Sequence, residues 1–189
     1  MNQILKTIAI IILVFSTQYN SQAQTLVPFY DIAVTPVLPN SAIINAGEAH
    51  MRINNLLGGI ATEHEKKYMH YKGQYYFKDN LVINIQANTY SPKSSRYKLL
   101  YDMKKGLDAF YLREATPGTY FSDIKQVTNY HVFISYRLNA NTSKDAVIID
   151  DQGRYMIFIY VYGAKDSVSM QKAIDMVNQV ANSITFFTE

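Results

Sequence analysis

The sequence predicts an α+β domain, an antiparallel sheet flanked by helices, and three observations lead there. Residues 155–162, YMIFIYVY, form an unbroken run of β-branched, aromatic and long apolar side chains, the types that suit a strand. Tyr130, Val132, Ile134, Tyr136 and Leu138 alternate with His131, Phe133, Ser135 and Arg137, a period of two. From Ser167 the period changes: Met170, Ala173, Ile174, Val177, Val180, Ala181 and Ile184 recur every three or four residues with polar residues between, which is an amphipathic helix.

The chain opens on a basic residue, Lys6, an apolar run from Thr7 to Ser16, and small residues at Ser21 and Ala23. This is the pattern of a signal peptide over residues 1–23 with cleavage after Ala23. The run falls short of the ~20 apolar residues a spanning helix needs, so no stable membrane insertion is expected after processing. With no cysteine in the chain, a lipid-modified cysteine, thiol chemistry and disulfides are all excluded. Removing 23 of 189 residues leaves 166, the size of one domain. Losing Lys6 lowers the net charge from +3 to +2, too little to argue for nucleic acid.

Residues 24–45 carry Pro28, Pro36 and Pro39 and read as an extended lead-in, with a single α+β domain over residues 46–189. Residues 47–67 read as a helix interrupted at Gly58-Gly59, with Met51, Ile53, Leu56, Leu57 and Ile60 as its apolar patch. Strands follow at 74–77 and 80–90. In the second, Leu81, Ile83, Ile85 and Ala87 point to a core, while Asn84, Gln86 and Asn88 meet water or a ligand. Residues 96–112 read as a helix with Leu99, Met103, Leu107 and Phe110 on one stripe; a hairpin turning at Lys104-Lys105-Gly106 is the competing form. Residues 139–144 make a polar turn, 146–149 a short strand, and Asp150-Asp151-Gln152-Gly153 a tight turn. Asp166 or Ser167 caps the last helix. In the strand 155–162, both faces are apolar, which places it centrally in the sheet, and Tyr160 and Tyr162 suit a border between core and water.

The strand pair YHVFISYRL and GRYMIFIYVYG, the DDQG turn between them, and the ending MQKAIDMVNQVANSITF resemble the PsbP-like fold family. The resemblance spans about two thirds of the chain. It implies an α/β/α sandwich without enzymatic activity that works by docking on another protein. The leader ending SQAQ also looks like those of Bacteroidota, which implies a periplasmic location.

Catalytic patterns do not assemble. His64 and His70 are six residues apart, which on a helix turns the rings about 240° from one another, so no metal is expected, and no cofactor motif is present. Ser122 and Lys125 fit S-x-x-K, but in strand or loop rather than helix, and without the companion motifs. Asp150 and Asp151 read as turn residues.

The best candidate for a working surface is the interleaving of cations and aromatics over residues 66–76, where Tyr68, Tyr71, Lys72, Tyr75 and Tyr76 suit a protein interface; the bland alternative is a solvated helix end running into a strand. Arg137, Tyr160 and Tyr162 are further binding candidates on the sheet. The expected function is therefore an exported, periplasmic, non-catalytic protein-binding module, an inhibitor, immunity or accessory protein whose partner is an envelope or periplasmic protein. The alternatives are a small-molecule or glycan binder with its pocket under Tyr160 and Tyr162, or a small envelope hydrolase using His64, Glu65 or the Asp150 pair. Intact-mass measurement of the exported protein should give a chain beginning at Gln24; a mass that retains residues 1–23 would refute the leader.

Overall fold

A computed structural model describes residues 32–33, 38, 41–58, 73–89, 96–114, 118–138, 143–151 and 155–186. The strands are β1 (Ile32–Ala33), β2 (Ala42–Ile44), β3 (Gln74–Lys78), β4 (Leu81–Thr89), β5 (Tyr120–Val127), β6 (Tyr130–Arg137), β7 (Lys144–Asp150), β8 (Tyr155–Tyr162) and β9 (Thr185–Phe186). The helices are α1 (Ala46–Leu56), α2 (Arg96–Glu114) and α3 (Ser167–Asn182). Seven strands form one antiparallel sheet in the order β2-β3-β4-β8-β7-β6-β5, and β1 pairs with β9 in a separate ribbon. The α+β class and the antiparallel sheet expected from the sequence are thus present, with helices on both faces.

The central position of β8 follows from its side chains. Ile157, Ile159 and Val161 are fully buried on one face and pack with Ala173, Met176, Val177, Val180 and Ala181 of α3. Asp166 starts α3 as its sequence suggests, its carboxylate accepting the Ser169 N–H at 2.9 Å. The far end is held by Tyr130, whose hydroxyl donates to the Ala181 carbonyl at 2.9 Å. Phe186 packs edge-on against the Tyr130 ring, and its strand β9 pairs back to β1.

Two helices share the opposite face. Helix α1 lies over β3 and β4, burying Ala49, Ile53 and Leu57 against Tyr75 and Val82. Asn45 caps it by accepting the Glu48 N–H at 2.9 Å, and Gly58 ends it at φ 72°, so the glycine break falls where expected. Helix α2 lies over the other half of the sheet, with Leu100, Phe133, Val147 and Ile149 as its core. It is a helix and not a hairpin. Its buried stripe is centred on Leu100, flanked by Leu99, Met103 and Leu107, whereas Phe110, expected on that stripe, is 54% exposed. Asp108 fastens it to β5, accepting hydrogen bonds from Tyr120, Ser122 and Lys104.

Other differences from the sequence reading are local. The lead-in contributes β2, which pairs with β3, so the sheet begins before residue 46. Strand β7 starts at Lys144 rather than Ala146, which takes Lys144 out of the expected polar turn and brings Asp145, which the sequence reading left between turn and strand, into the sheet. The β3–β4 connection is a two-residue turn with Asp79 and Asn80 both at positive φ, the form that matches strand twist. Just before β3, Gly73 has φ 97°, and a Cβ there would stand 2.4 Å from the Ile85 carbonyl oxygen. That neighbour is backbone in the middle of a strand and has no room to give. Gly73→Ala should therefore lower stability by roughly 1–3 kcal/mol, read as a reduced urea midpoint with an unchanged slope.

Candidate functional site

Antiparallel register lines up one polar row across the face that α1 and α2 share. Ser122 stands opposite Ser135, Ser135 opposite Asp145, Asp145 opposite Tyr160, Tyr160 opposite Asn84, and Asn84 opposite Tyr75. Apolar clusters under α1 and α2 bracket the row, so polar groups occupy the seam between the two helices. Asn84 and Gln86 are buried there, not facing water, and the Gln86 amide donates to Asn84 Oδ1 at 2.7 Å.

Asp145 is the centre of this seam. Burial pushes its carboxyl up to about 6, against the opposing effects of a hydrogen bond from Ser143 and the nearby charges of Lys144 and Arg137. Its Oδ1 is buried with no hydrogen-bond partner among the described residues. Tyr160 is pushed up to about 12, by burial first and then by the Asp145 charge. Tyr162 is raised further by the same causes in the same order, although Ser143 also hydrogen-bonds its phenol. Tyr75 lies on the same face and reaches His50 of α1, at 3.5 Å from hydroxyl to Nε2, with the rings edge-on; burial lowers the His50 pKa.

The candidate residues separate into three groups. Tyr75, Tyr160, Tyr162 and Arg137 come together on this face. The Arg137 guanidinium lies 4.6 Å over the Tyr111 ring, so it also ties α2 to the sheet. Tyr76 is a correction: the alternation of β3 turns it to the opposite face, where it is fully buried in the α3 core and not available to a partner. Tyr75 is likewise buried rather than a solvent-facing anchor. Tyr68, Tyr71 and Lys72, with His64, Glu65 and His70, lie outside the described residues.

Asp145 and Ser143 are the site residues that periodicity did not single out, whereas Asn84 and Gln86 were read as the strand face that meets water or a ligand. Asp145 directly precedes the strand expected from Ala146, and beginning that strand two residues earlier brings it into the sheet.

The other chemical candidates have structural partners. Asp150 accepts the Tyr155 N–H at 2.9 Å and closes the β7–β8 turn, and Asp151 pairs with His131 at 3.1 Å. Ser122 and Lys125 sit on opposite faces of β5, and Ser122 donates to Asp108. Among the described residues no three His, Cys, Asp or Glu come together as a metal site, and no helix is long and apolar enough to cross a membrane. A groove of about 630 Å³ runs between the β3–β4 turn and α3, but Asp79, Asn80, Lys172, Asp175 and Gln179 on its walls are exposed and solvated.

Comparison with protein-family models, with curated proteins and with solved structures finds no match for this chain.

The burial of Asp145 has a stability consequence. Its folded pKa lies above its unfolded one, so the native state holds the proton more tightly and the contribution to stability falls as pH rises from about 4 to about 6. Asp145→Asn should raise the unfolding free energy from urea titration at pH 7.5 by up to about 3 kcal/mol, at ~1.4 kcal/mol per pKa unit, and leave it nearly unchanged at pH 4. An equal effect at both pH values would show that the carboxylate is not buried at a cost.

Proposed function

We propose that this protein is an exported, periplasmic, non-catalytic binding domain of PsbP-like architecture, and that its ligand is a small polar molecule of the sugar or amino-sugar class held at the Asp145 seam. The observation that carries the reading is the buried Asp145 oxygen without a partner among the described residues, set beside Tyr160 and close to Tyr162. An unmade hydrogen bond at a buried carboxylate costs free energy that a donor on a ligand recovers. Half-buried phenols offer ring faces for the apolar face of a sugar and hydroxyls for its edge. An amine on the ligand would gain most, because Asp145 is ionised above pH 6.

Docking on an envelope or periplasmic protein is the second reading. The resemblance to PsbP-like proteins supports it, and so do the exposed Ile43 of β2 and Met51 of α1. Burial of Tyr75 and Tyr76 weakens it.

Thermal unfolding with glucose, glucosamine and N-acetylglucosamine at pH 7.5 and pH 5 tests the first reading. At about 100 times Kd a bound ligand stabilises by ~2.7 kcal/mol, roughly 5 to 10 °C in a chain of this size. Glucosamine should stabilise most at pH 7.5, lose its advantage at pH 5, and have no effect on a folded Tyr160→Ala variant. If no sugar shifts the wild-type midpoint, the ligand reading fails.

A further inference from the structure

The two edges of the sheet differ. Strand β2 is three residues long, and its neighbour β3 is covered by α1. Strand β5 has eight residues, Tyr120–Val127, without proline or glycine, and among the described residues it pairs only with β6. A long edge strand presents a row of unpaired backbone donors and acceptors, and proteins blunt such edges or use them.

The β5 sequence is a mirror of itself in chemistry. About Ile124, its residues read Phe121-Ser122-Asp123 on one side and Lys125-Gln126-Val127 on the other. Laid antiparallel on a second copy with Ile124 opposite Ile124, Asp123 meets Lys125 twice, Ser122 meets Gln126, and Phe121 meets Val127. Opposite charges directly across an antiparallel pair attract and like charges repel. The same two charges therefore favour this register and oppose a two-residue slip, which would set Asp123 opposite Asp123 or Lys125 opposite Lys125.

Apolar surface continues beyond the edge. Phe121 is 43% exposed and stacked on Tyr136 with ring centres 4.8 Å apart. On α2, Tyr101 and Leu112 are 51% and 68% exposed. They stand seven residues before and four after Asp108, on the stripe whose carboxylate reaches Tyr120 and Ser122 of β5. Helix α2 thus turns large apolar side chains towards the open edge, and Phe121 adds exposed apolar surface on the other face of the sheet.

We propose that this edge is a homodimer interface in which β5 pairs antiparallel with β5 of a second copy about Ile124, joining the sheets across a twofold axis. A twofold contact must be self-complementary, and the mirrored order of apolar, polar and charged residues meets that requirement. The proposal is independent of any ligand at Asp145.

Sedimentation velocity over a concentration series tests it, with circular dichroism confirming that every variant is folded. The wild type should show a concentration-dependent dimer. Lys125→Asp places acid opposite acid and Asp123→Lys base opposite base; each alone should weaken self-association roughly tenfold or more. Mixing these two variants in equal amounts should restore a heterodimer, and the double exchange D123K/K125D should restore the homodimer. A wild type that stays monomeric overturns the proposal, as does a dimer indifferent to the single changes or one the mixture fails to restore.

Discussion

Burial of both faces of β8 is the constraint from which the rest of the molecule follows. A strand with apolar side chains on both sides must lie inside a sheet and must have a layer above and a layer below. On one side the requirement is met by α3, whose small and branched residues sit directly on Ile157, Ile159 and Val161. On the other side no single helix spans the sheet, and α1 and α2 each cover a half. The side chains of β8 on that face, Met156, Phe158, Tyr160 and Tyr162, pass from one helix to the other across the join, and the tyrosines fall where the apolar cover is thinnest.

Such a join is costly to leave polar and costly to fill. Apolar packing there would need a third element on that face, whereas Asn84 and Gln86 satisfy one another across two residues of the same strand. Asp145 is satisfied only in part, through Ser143. A domain without disulfides relies on apolar burial for its stability, so a carboxylate held in this position works against folding at neutral pH. That opposition between stability and placement is the physical reason for proposing that the seam binds a ligand. Tyr76 shows a related cost on the other face, because its buried hydroxyl has no partner among the described residues and its ring serves as core packing.

The layers are one helix against two across an antiparallel sheet. Layering alone is shared by folds with unrelated uses. Function therefore has to be argued from side chains, and those in the seam offer acceptors, phenols and ring faces. Ser143 bonds directly to Asp145, and the His50 contact is with Tyr75. Among the described residues this differs from a serine, histidine and acid acting in sequence.

Periodicity was enough to find α3 with its Asp166 cap, the two apolar faces of β8 and the helix break at Gly58, because each depends on side chains close in the chain. A period of two or 3.6 is a local property, written wherever one face is buried. Position across the sheet is not local. Whether Tyr76 or Tyr75 faces α3 depends on the register of β3 with β4, and a single step in register exchanges the faces. Asp145 acquired its neighbours Tyr160 and Ser135 through pairing with strands ten to fifteen residues away, and only that pairing set its carboxyl, with one oxygen buried, among them. The sequence by itself determined which segments are strands and helices and which faces are apolar; tertiary pairing decided which polar residues share a seam, since that depends on what each strand lies beside.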